Sequence, residues 1–257
     1  MRLKVSAICD RGKLRPVNED NLFINGFFLP ELHEETYSTT KRFSTLTKPL
    51  FAVFDGMGGY DAGEKASFLA AETTGKLSHS HPSLLRSKRL LSEICAESNR
   101  AICEEMAKNR NGRMGSTASI LLFSGKRYFL CNIGDSPIFL MQNGHLQIIS
   151  AEHTERALYE SVTGKKTDPR QKFRLTQNIG IFPDEMILEP YYSEGDLHIG
   201  DTFLICSDGI TDMLDTTQIK RILQHEDVSV IAQELLSCAL DSGGKDNITA
   251  IVIRCSK

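Results

Sequence analysis

Four aspartates share one local pattern, in which an apolar strand-like run meets a carboxylate beside a glycine or a tight turn. They are Asp55, Asp135, Asp208 and Asp246. A fifth acidic site, Asn18-Glu19-Asp20, opens another strand-like run. Glycine at such a position lets the backbone approach a ligand closely. The pattern is therefore typical of a binding site assembled from distant parts of the chain.

Carboxylates placed repeatedly at one edge of a sheet would repel one another and lose hydration unless cations neutralised them. Ligands that are all oxygen favour Mg²⁺ or Mn²⁺, whereas zinc calls for histidine or cysteine. The histidines are scattered, and the only close pair, His79 and His81, is interpreted as helix-end surface residues. A single Asp-Gly pair is more simply explained as a turn. The five sites together predict a divalent metal centre.

The overall composition is that of an ordinary folded protein. Of the 257 residues, 40% are hydrophobic and 25% are charged, which disfavours disordered and fibrous classes, and we expect one domain over residues 1–257. The net charge of -3 provides no global field for nucleic acid or an anionic membrane. No signal peptide is evident, and the longest compact apolar run, 118–123, is strand-sized. We therefore expect a cytoplasmic protein with no nucleic-acid or membrane partner.

The seven cysteines include no Cys-x-x-Cys pair, and most lie in apolar strand-like runs. They are predicted to be reduced core thiols.

Hydrophobic periodicity predicts strands at both ends of the chain and helices in the middle and near the end, which favours the α+β class with antiparallel sheets covered by helices. Residues 31–48 are polar and are expected to form a surface excursion, and residues 150–185 have little pattern. Asn143-Gly144 predicts a type I′ hairpin. The predicted strands are 3–9, 21–28, 50–54, 119–123, 127–133, 138–142, 146–149, 188–192, 202–206 and 248–254, and the predicted helices are 66–77, 91–106, 216–224 and 228–241.

A series of short motifs extends over nearly the whole chain. They are Asp10, Gly12, Arg15, Asn18, Glu19 and Asp20, then Asp55-Gly56-Met57-Gly58-Gly59, Gly115-Ser116-Thr117, Gly134-Asp135-Ser136, Ser207-Asp208-Gly209 and Asp246-Asn247. In this order, the motifs resemble those of the metal-dependent serine/threonine protein phosphatases of type 2C, the PPM family. The resemblance implies a four-layer α-β-β-α sandwich with two packed antiparallel sheets flanked by helices.

The resemblance also implies how two Mn²⁺ or Mg²⁺ ions would be held. Asp55 would bridge both ions, and Asp208 and Asp246 would complete one site. Glu19 and the carbonyl of Gly56 would complete the other.

Three further residues receive roles from the same resemblance. Asp20 would orient a metal-bound water that attacks phosphorus in line, and two ions can lower the pKa of such a water toward neutrality. Arg15 would hold the phosphate oxygens with its planar guanidinium. Asp135, together with Asp208, resembles the pair that binds a third, weaker metal ion in bacterial members.

The sequence departs from the family pattern at two positions. Met57 stands where many eukaryotic members have a histidine that protonates the leaving group, so the general acid is unassigned; bacterial members commonly share this methionine. Pro137 replaces the arginine usual after Gly-Asp-Ser, which puts the role of that arginine in doubt. The resemblance is thus to a bacterial-type member.

Residues 150–177 correspond to the flap of the family, a segment beside the metal site where members vary. Its positive and histidine side chains could meet an acidic phosphopeptide or form a solvated charge cluster, and the sequence favours neither. The expected partners are phosphorylated proteins, and bacterial-type members often reverse a serine/threonine kinase. The flap side chains concerned are His153, Arg156, Lys165, Lys166 and Arg170.

Two rival hypotheses remain to be weighed against this one. Cys9 and Arg15 match the Cys-x5-Arg spacing of thiolate-based tyrosine phosphatases, but such a thiolate needs an electropositive, anion-binding loop. The other rival is a pseudophosphatase that keeps the fold as a phosphoprotein-binding module. Its signature would be a missing metal ligand, and all the expected acids are present.

Overall fold

The structure is a computed structural model that describes residues 1–58, 62–78, 87–109, 112–167 and 173–257. Gly59, His79, His81 and Arg170, named above, lie outside the described residues.

Thirteen strands and six α-helices are present in the described residues, with a short 3₁₀ helix at Thr45–Thr47. The strands are β1 Arg2–Asp10, β2 Asp20–Ile24, β3 Phe27–Phe28, β4 Tyr37–Ser44, β5 Leu50–Gly58, β6 Met114–Ser116, β7 Ala118–Ser124, β8 Arg127–Ile133, β9 Ile138–Gln142, β10 His145–Ile148, β11 Tyr191–Asp196, β12 Thr202–Cys206 and β13 Ile248–Ser256. The helices are α1 Gly63–Ser78, α2 Ser87–Asn109, α3 Glu155–Thr163, α4 Asp208–Thr211, α5 Thr216–Ile222 and α6 Val228–Asp241.

The strands form two sheets in which every pair is antiparallel. The six-stranded sheet has the order β10-β9-β12-β13-β1-β4. The seven-stranded sheet has the order β11-β8-β7-β5-β2-β3, and β6 pairs with the end of β5.

Three apolar cores separate four layers. Along β5, Phe51 and Val53 face the core between the two sheets, while Ala52 and Phe54 face the core under α1 and α2. Both faces of the strand are thus buried, which explains its continuous apolar sequence. A third core joins the six-stranded sheet to α4, α5 and α6. The predicted α+β class and the four-layer sandwich are confirmed.

Most of the predicted elements are present, and the hairpin at Asn143-Gly144 has positive φ at both residues, as a type I′ turn requires. The predicted strand 21–28 was wrong in one respect, because Asn25 and Gly26 also have positive φ and divide it into β2 and β3. The predicted strand 188–192 begins later, at Tyr191.

Two segments hold structure that the periodicity did not predict. Residues 37–44, inside the expected surface excursion, form β4 at the edge of the six-stranded sheet. An edge strand can be largely polar, which conceals it from pattern analysis. Within the weakly patterned stretch, α3 (Glu155–Thr163) is capped by Thr154 and Gly164, and none of its own residues is buried.

The cysteine prediction is confirmed, since all seven are free and six are buried. Within the described ranges, no helix combines the length and the apolar character needed to cross a bilayer.

Candidate active site

The first two acidic residues meet on adjacent strands of the seven-stranded sheet. Asp20 opens β2, and its Cα is the register partner of that of Asp55 on β5. Thr117 holds the backbone of Asp55 through two hydrogen bonds. The Thr117 hydroxyl accepts from the amide of Asp55 at 3.0 Å, and the Thr117 amide donates to the carbonyl of Asp55 at 2.8 Å. These contacts fix where the Asp55 side chain leaves the strand.

The six-stranded sheet supplies two more carboxylates at the same place. Asp208 follows β12, and Asp246 precedes β13, the neighbouring strand. Ser207 joins the two sheets, because its hydroxyl donates to Oδ2 of Asp20 at 2.7 Å and accepts from the amide of Thr249 at 3.0 Å. The acids therefore lie where the ends of both sheets come together.

Glu19 packs against the start of α1. Its carbonyl accepts from the amide of Gly56 at 3.1 Å, and a Cβ on Gly56 would overlap both that carbonyl and the carbonyl of Gly63. A Cβ on Gly63 would in turn overlap the carboxylate of Glu19. Glycine at both positions is what allows β5, α1 and the Glu19 carboxylate to come this close.

Arg15 lies between two of these acids. Its Nη2 donates to Oδ2 of Asp246 at 2.7 Å, and its Nη1 lies 3.8 Å from Oε2 of Glu19. The guanidinium thus sits at the edge of the acidic cluster, in the position of a group that can meet an incoming anion.

Asp135 lies just beyond the end of β8, and Gly134 before it has φ +98°. Thr117 packs against Gly134, and its hydroxyl shares a 2.7 Å hydrogen bond with that of Ser136. The same threonine therefore links the loop of Asp135 to the backbone of Asp55.

The pKa values of the acidic side chains show how strongly these groups affect one another. Burial raises the pKa of Asp55 well above its usual value, and the charges of Asp20 and Asp208 raise it further. Burial likewise raises the pKa of Asp208 to about 8, with Asp135 and Asp246 adding to the effect. Carboxylates from five separate segments thus repel one another in a desolvated space.

This donor set fits a hard divalent cation, because it is buried, strongly negative and composed of oxygen atoms alone. Among the residues that the structure describes, no three acidic, histidine or cysteine side chains are already drawn into a compact metal-ligating group. Oδ2 of Asp246 accepts a hydrogen bond from Arg15. A cation bound by this oxygen would share it with Arg15 or displace the guanidinium.

Asn247 holds the loop 11–19, which carries Arg15 and Glu19. The sequence did not predict this role. The side chain is buried; its Oδ1 accepts from the amide of Glu19 at 2.8 Å, and its Nδ2 donates to the carbonyls of Arg11 and Val17 at 2.8 and 3.0 Å. The one sequence feature that could have pointed to Asn247 is its place beside Asp246 in the motif. It joins residues more than two hundred positions apart, which local spacing does not reveal.

The two departures from the family pattern each lie two residues after one of the acids, Asp55 or Asp135. Met57 is on β5 opposite Gly115, and Pro137 lies beyond Asp135, where its carbonyl accepts from the amide of Cys206 at 3.2 Å.

The structure argues against the thiolate hypothesis. Cys9 is fully buried in β1, and its sulfur accepts hydrogen bonds from Asn18 and Thr249. Burial and the nearby Asp20 raise the pKa of the thiol to about 12, whereas a thiolate nucleophile needs a lowered pKa.

Several flap side chains are already engaged with their own segment. Arg156 donates to Oε1 of Glu152, and Lys166 lies 2.9 Å from Oε2 of Glu160. His153 bonds to the backbone of Gly134. The flap is tied at its base by a bridge between Thr154 and Leu175.

The chain is similar to known protein phosphatases over most of its length. A family model described as "Protein phosphatase 2C" matches residues 41–250. Serine/threonine protein phosphatase PstP of Mycobacterium tuberculosis is 29% identical over 97% of this chain, which spans only 44% of that relative. Serine/threonine phosphatase stp of Listeria monocytogenes serotype 4b is 29% identical over 95% of this chain and 92% of the relative.

The same similarity holds among solved structures. The catalytic domain of PstP in complex with two manganese ions superposes with a TM-score of 0.80 at 28% identity, with all of both chains covered. The matched model, the relatives and the shared fold agree with the acidic motifs. The chain belongs to the protein phosphatase 2C family.

Proposed function

We propose that this protein hydrolyses phosphoserine and phosphothreonine in other proteins, with two Mn²⁺ or Mg²⁺ ions bound at the acidic cluster. The observation that carries the proposal is the gathering of buried carboxylates from both sheets, which raises the pKa of Asp55 and Asp208. Such an arrangement is costly unless cations occupy it. The two manganese ions in the PstP catalytic domain support the same assignment.

The carboxylates of Asp55, Asp208, Asp246 and Glu19 and the carbonyl of Gly56 would hold the two ions. Bound there, the ions would supply an activated water for in-line attack on phosphorus and would neutralise charge on the phosphoryl oxygens.

The remaining residues of the site would bind the phosphate, orient the attacking water or hold a third ion. Asp20 is buried and bonded to Ser207, so it is placed to accept a hydrogen bond from the attacking water. Arg15 would exchange its contact with Asp246 for the phosphate oxygens, where a planar guanidinium gives two parallel hydrogen bonds. Asp135 with Asp208 would form the weaker third metal site.

We also propose that residues 1–257 act as one catalytic domain with residues 150–177 as its flap. Phosphorylated proteins would be the substrates; an opposing serine/threonine kinase and a cytoplasmic location stay predictions from the sequence.

The test is hydrolysis of a phosphothreonine peptide and of p-nitrophenyl phosphate with and without Mn²⁺. Activity should require Mn²⁺ or Mg²⁺ and should be lost in Asp208→Ala and Asp246→Ala. Asp196→Ala serves as a control, because Asp196 is an exposed aspartate at the end of β11. Full metal-dependent activity in both site variants would disprove the ligand assignment, and peptide binding without turnover would favour a pseudophosphatase.

A further inference from the structure

Two loop segments, 11–15 and 243–246, meet beside the acidic cluster. The amide of Lys13 donates to the carbonyl of Gly244 at 2.8 Å. Gly12 permits this approach, because a Cβ there would overlap backbone atoms of the second segment. The contact fixes the side chains of both segments next to the proposed phosphate-binding position.

Three cationic side chains leave these two segments. Arg15 donates to Asp246 at 2.7 Å, Lys13 stands two residues before Arg15, and Lys245 directly precedes Asp246. Both lysine stems lie against the turn at residues 243 and 244. Cγ of Lys13 is 3.2 Å from the position that a Cβ would take at residue 244, and Cε of Lys245 is 3.7 Å from the corresponding position at residue 243.

The two lysines have no partner for their charge. Both are exposed, and within the described ranges neither ammonium group forms an ion pair or a hydrogen bond. On the flap, in contrast, Arg156 is paired with Glu152 and Lys166 lies 2.9 Å from a carboxylate oxygen of its own segment. Lys13 and Lys245 are therefore available to an anionic ligand.

The charge around the acidic cluster differs from one side to the other. Segment 11–15 contains two arginines and one lysine but no acidic residue. Segment 208–216, on the Asp208 side, contains three aspartates but no lysine or arginine. An acidic group of a ligand would thus be attracted on the Lys13 side and repelled on the Asp208 side.

Metal binding would strengthen this difference. Two doubly charged ions would balance the four carboxylates proposed as their ligands, so these carboxylates would no longer offset the neighbouring cations. With a phosphate at Arg15, Lys13 and Lys245 would remain for a second anionic group. A basic group would be repelled there, and an apolar one would find mainly Leu14, which is 68% exposed.

We propose that Lys13 and Lys245 bind an aspartate or glutamate side chain of the phosphoprotein substrate, a few residues from the phosphorylated one. The inference rests on the proposed phosphatase function and adds to it a substrate class, namely acidic phosphorylation sites. Because the Asp208 side repels such a group, the preference would hold on one side of the phosphorylated residue only.

The experiment compares phosphothreonine peptides that carry one glutamate at each position from three before to three after the phosphorylated residue. Each has a partner with glutamine, which has nearly the same shape without the charge. At one or two positions, all on the same side, kcat/KM with Mn²⁺ should be about two- to fivefold higher for glutamate, the range expected of exposed ion pairs. The preference should shrink at high salt.

Matched variants locate the effect. Lys13→Gln and Lys245→Gln should each lower the glutamate preference, and the double variant should remove it, whereas Lys13→Arg keeps the charge and should keep the preference. Lys126→Gln is the control, because Lys126 is an exposed lysine in the turn between β7 and β8, at the opposite end of those strands from Thr117 and Gly134. It removes the same charge and should leave the preference unchanged.

Equal rates for glutamate and glutamine at every position would overturn this inference alone, because the hydrolysis itself would still support the proposed function. A full preference in the double variant would also overturn it, as would an equal loss in Lys126→Gln, since the cause would then be the overall charge. Absence of Mn²⁺-dependent hydrolysis of every peptide would overturn the proposed function and the inference with it.

Discussion

Arg15 is bonded to a carboxylate that is also a proposed metal ligand. Its guanidinium contacts Asp246 at 2.7 Å and lies 3.8 Å from Glu19. The contact with Asp246 raises the pKa of Arg15, so the side chain is a permanent cation within the cluster. At the proposed metal site, an ion and Arg15 would therefore compete for the oxygen atoms of Asp246 until a phosphate gives Arg15 a second partner.

The first prediction concerns this competition. Arg15→Ala should raise KM for a phosphopeptide about tenfold or more, because charge-assisted hydrogen bonds to phosphate are lost. The same variant should bind Mn²⁺ several-fold more tightly in isothermal titration calorimetry. Arg15→Lys keeps the charge without the planar fork, so it should bind Mn²⁺ like the wild type while still raising KM. Weaker Mn²⁺ binding by Arg15→Ala would contradict the argument.

Asn247 supports the second prediction. Asn247→Ala removes the hydrogen bonds to the amide of Glu19 and to two backbone carbonyls, and each lost hydrogen bond costs about 0.5–1.5 kcal/mol. We expect a lower free energy of unfolding and weaker Mn²⁺ binding, because the loop that carries Arg15 and Glu19 is released.

Asn99→Ala is the matched control for that variant. Asn99 also makes three hydrogen bonds, to Gly180 and Ile181, and it lies on α2 rather than at the acidic cluster. The Asn99→Ala variant should have a lower free energy of unfolding in urea titrations and an unchanged Mn²⁺ affinity. If both variants bind Mn²⁺ like the wild type, Asn247 has only a structural role.

The acids themselves could be predicted from the sequence because each one stands beside a glycine or opens a strand, which is a local signal. The residues that position them could not. Thr117 acts on Asp55 across 62 positions and Asn247 acts on Glu19 across 228. Hydroxyl and amide side chains have many local uses, so only the folded chain shows which partner they choose.

At the scale of elements, the contact between β5 and the start of α1 leads to the third prediction. Gly63→Ala would ordinarily favour a helix by up to about 1 kcal/mol. Here the added Cβ would overlap the Glu19 carboxylate, so Glu19 must move. We expect near-normal thermal stability with Mn²⁺ affinity lowered about tenfold, the size typical of disturbed support around a metal ligand.

Gly75→Ala is the control within the same helix. Its Cβ would lie 3.2 Å from the ring of Phe28 and away from any carboxylate. It should leave Mn²⁺ binding unchanged, and an equal loss of affinity in both variants would show that α1, rather than Glu19, is responsible.

The elements that sequence reasoning predicted well are those with strong local signals. β8 and β12 have the predicted bounds because both are rich in apolar residues and are followed by turn residues. α6 has the predicted bounds because its apolar face is regular. β4 and α3 were not predicted. A polar edge strand and a helix without buried residues lack the pattern that burial imposes.

For the whole molecule, the acidic cluster is a source of instability that cations should remove. We predict that Mn²⁺ at one hundred times its dissociation constant stabilises the fold by about 2.7 kcal/mol. For a chain of this size the melting temperature should rise by about 5–10 °C. Differential scanning calorimetry with EDTA or Mn²⁺ provides the measurement.

Asp208→Asn is the informative variant for that experiment. It removes one of the buried, mutually repelling carboxylates, so the metal-free variant should melt above the metal-free wild type while its response to Mn²⁺ is reduced. Asp196→Ala should behave like the wild type in both conditions. A metal-free Asp208→Asn protein that melts below the wild type would show that the aspartate stabilises the fold by other means.

The order of strands in the six-stranded sheet has a consequence for protein synthesis. β13 is the last of the thirteen described strands in sequence order, yet it lies between β12 and β1 and directly follows Asp246 and Asn247. Until the ribosome has released it, this sheet stays in two separate pieces and the acidic cluster lacks one of its members. A nascent or truncated chain that lacks β13 is therefore expected to be unable to assemble the proposed metal centre.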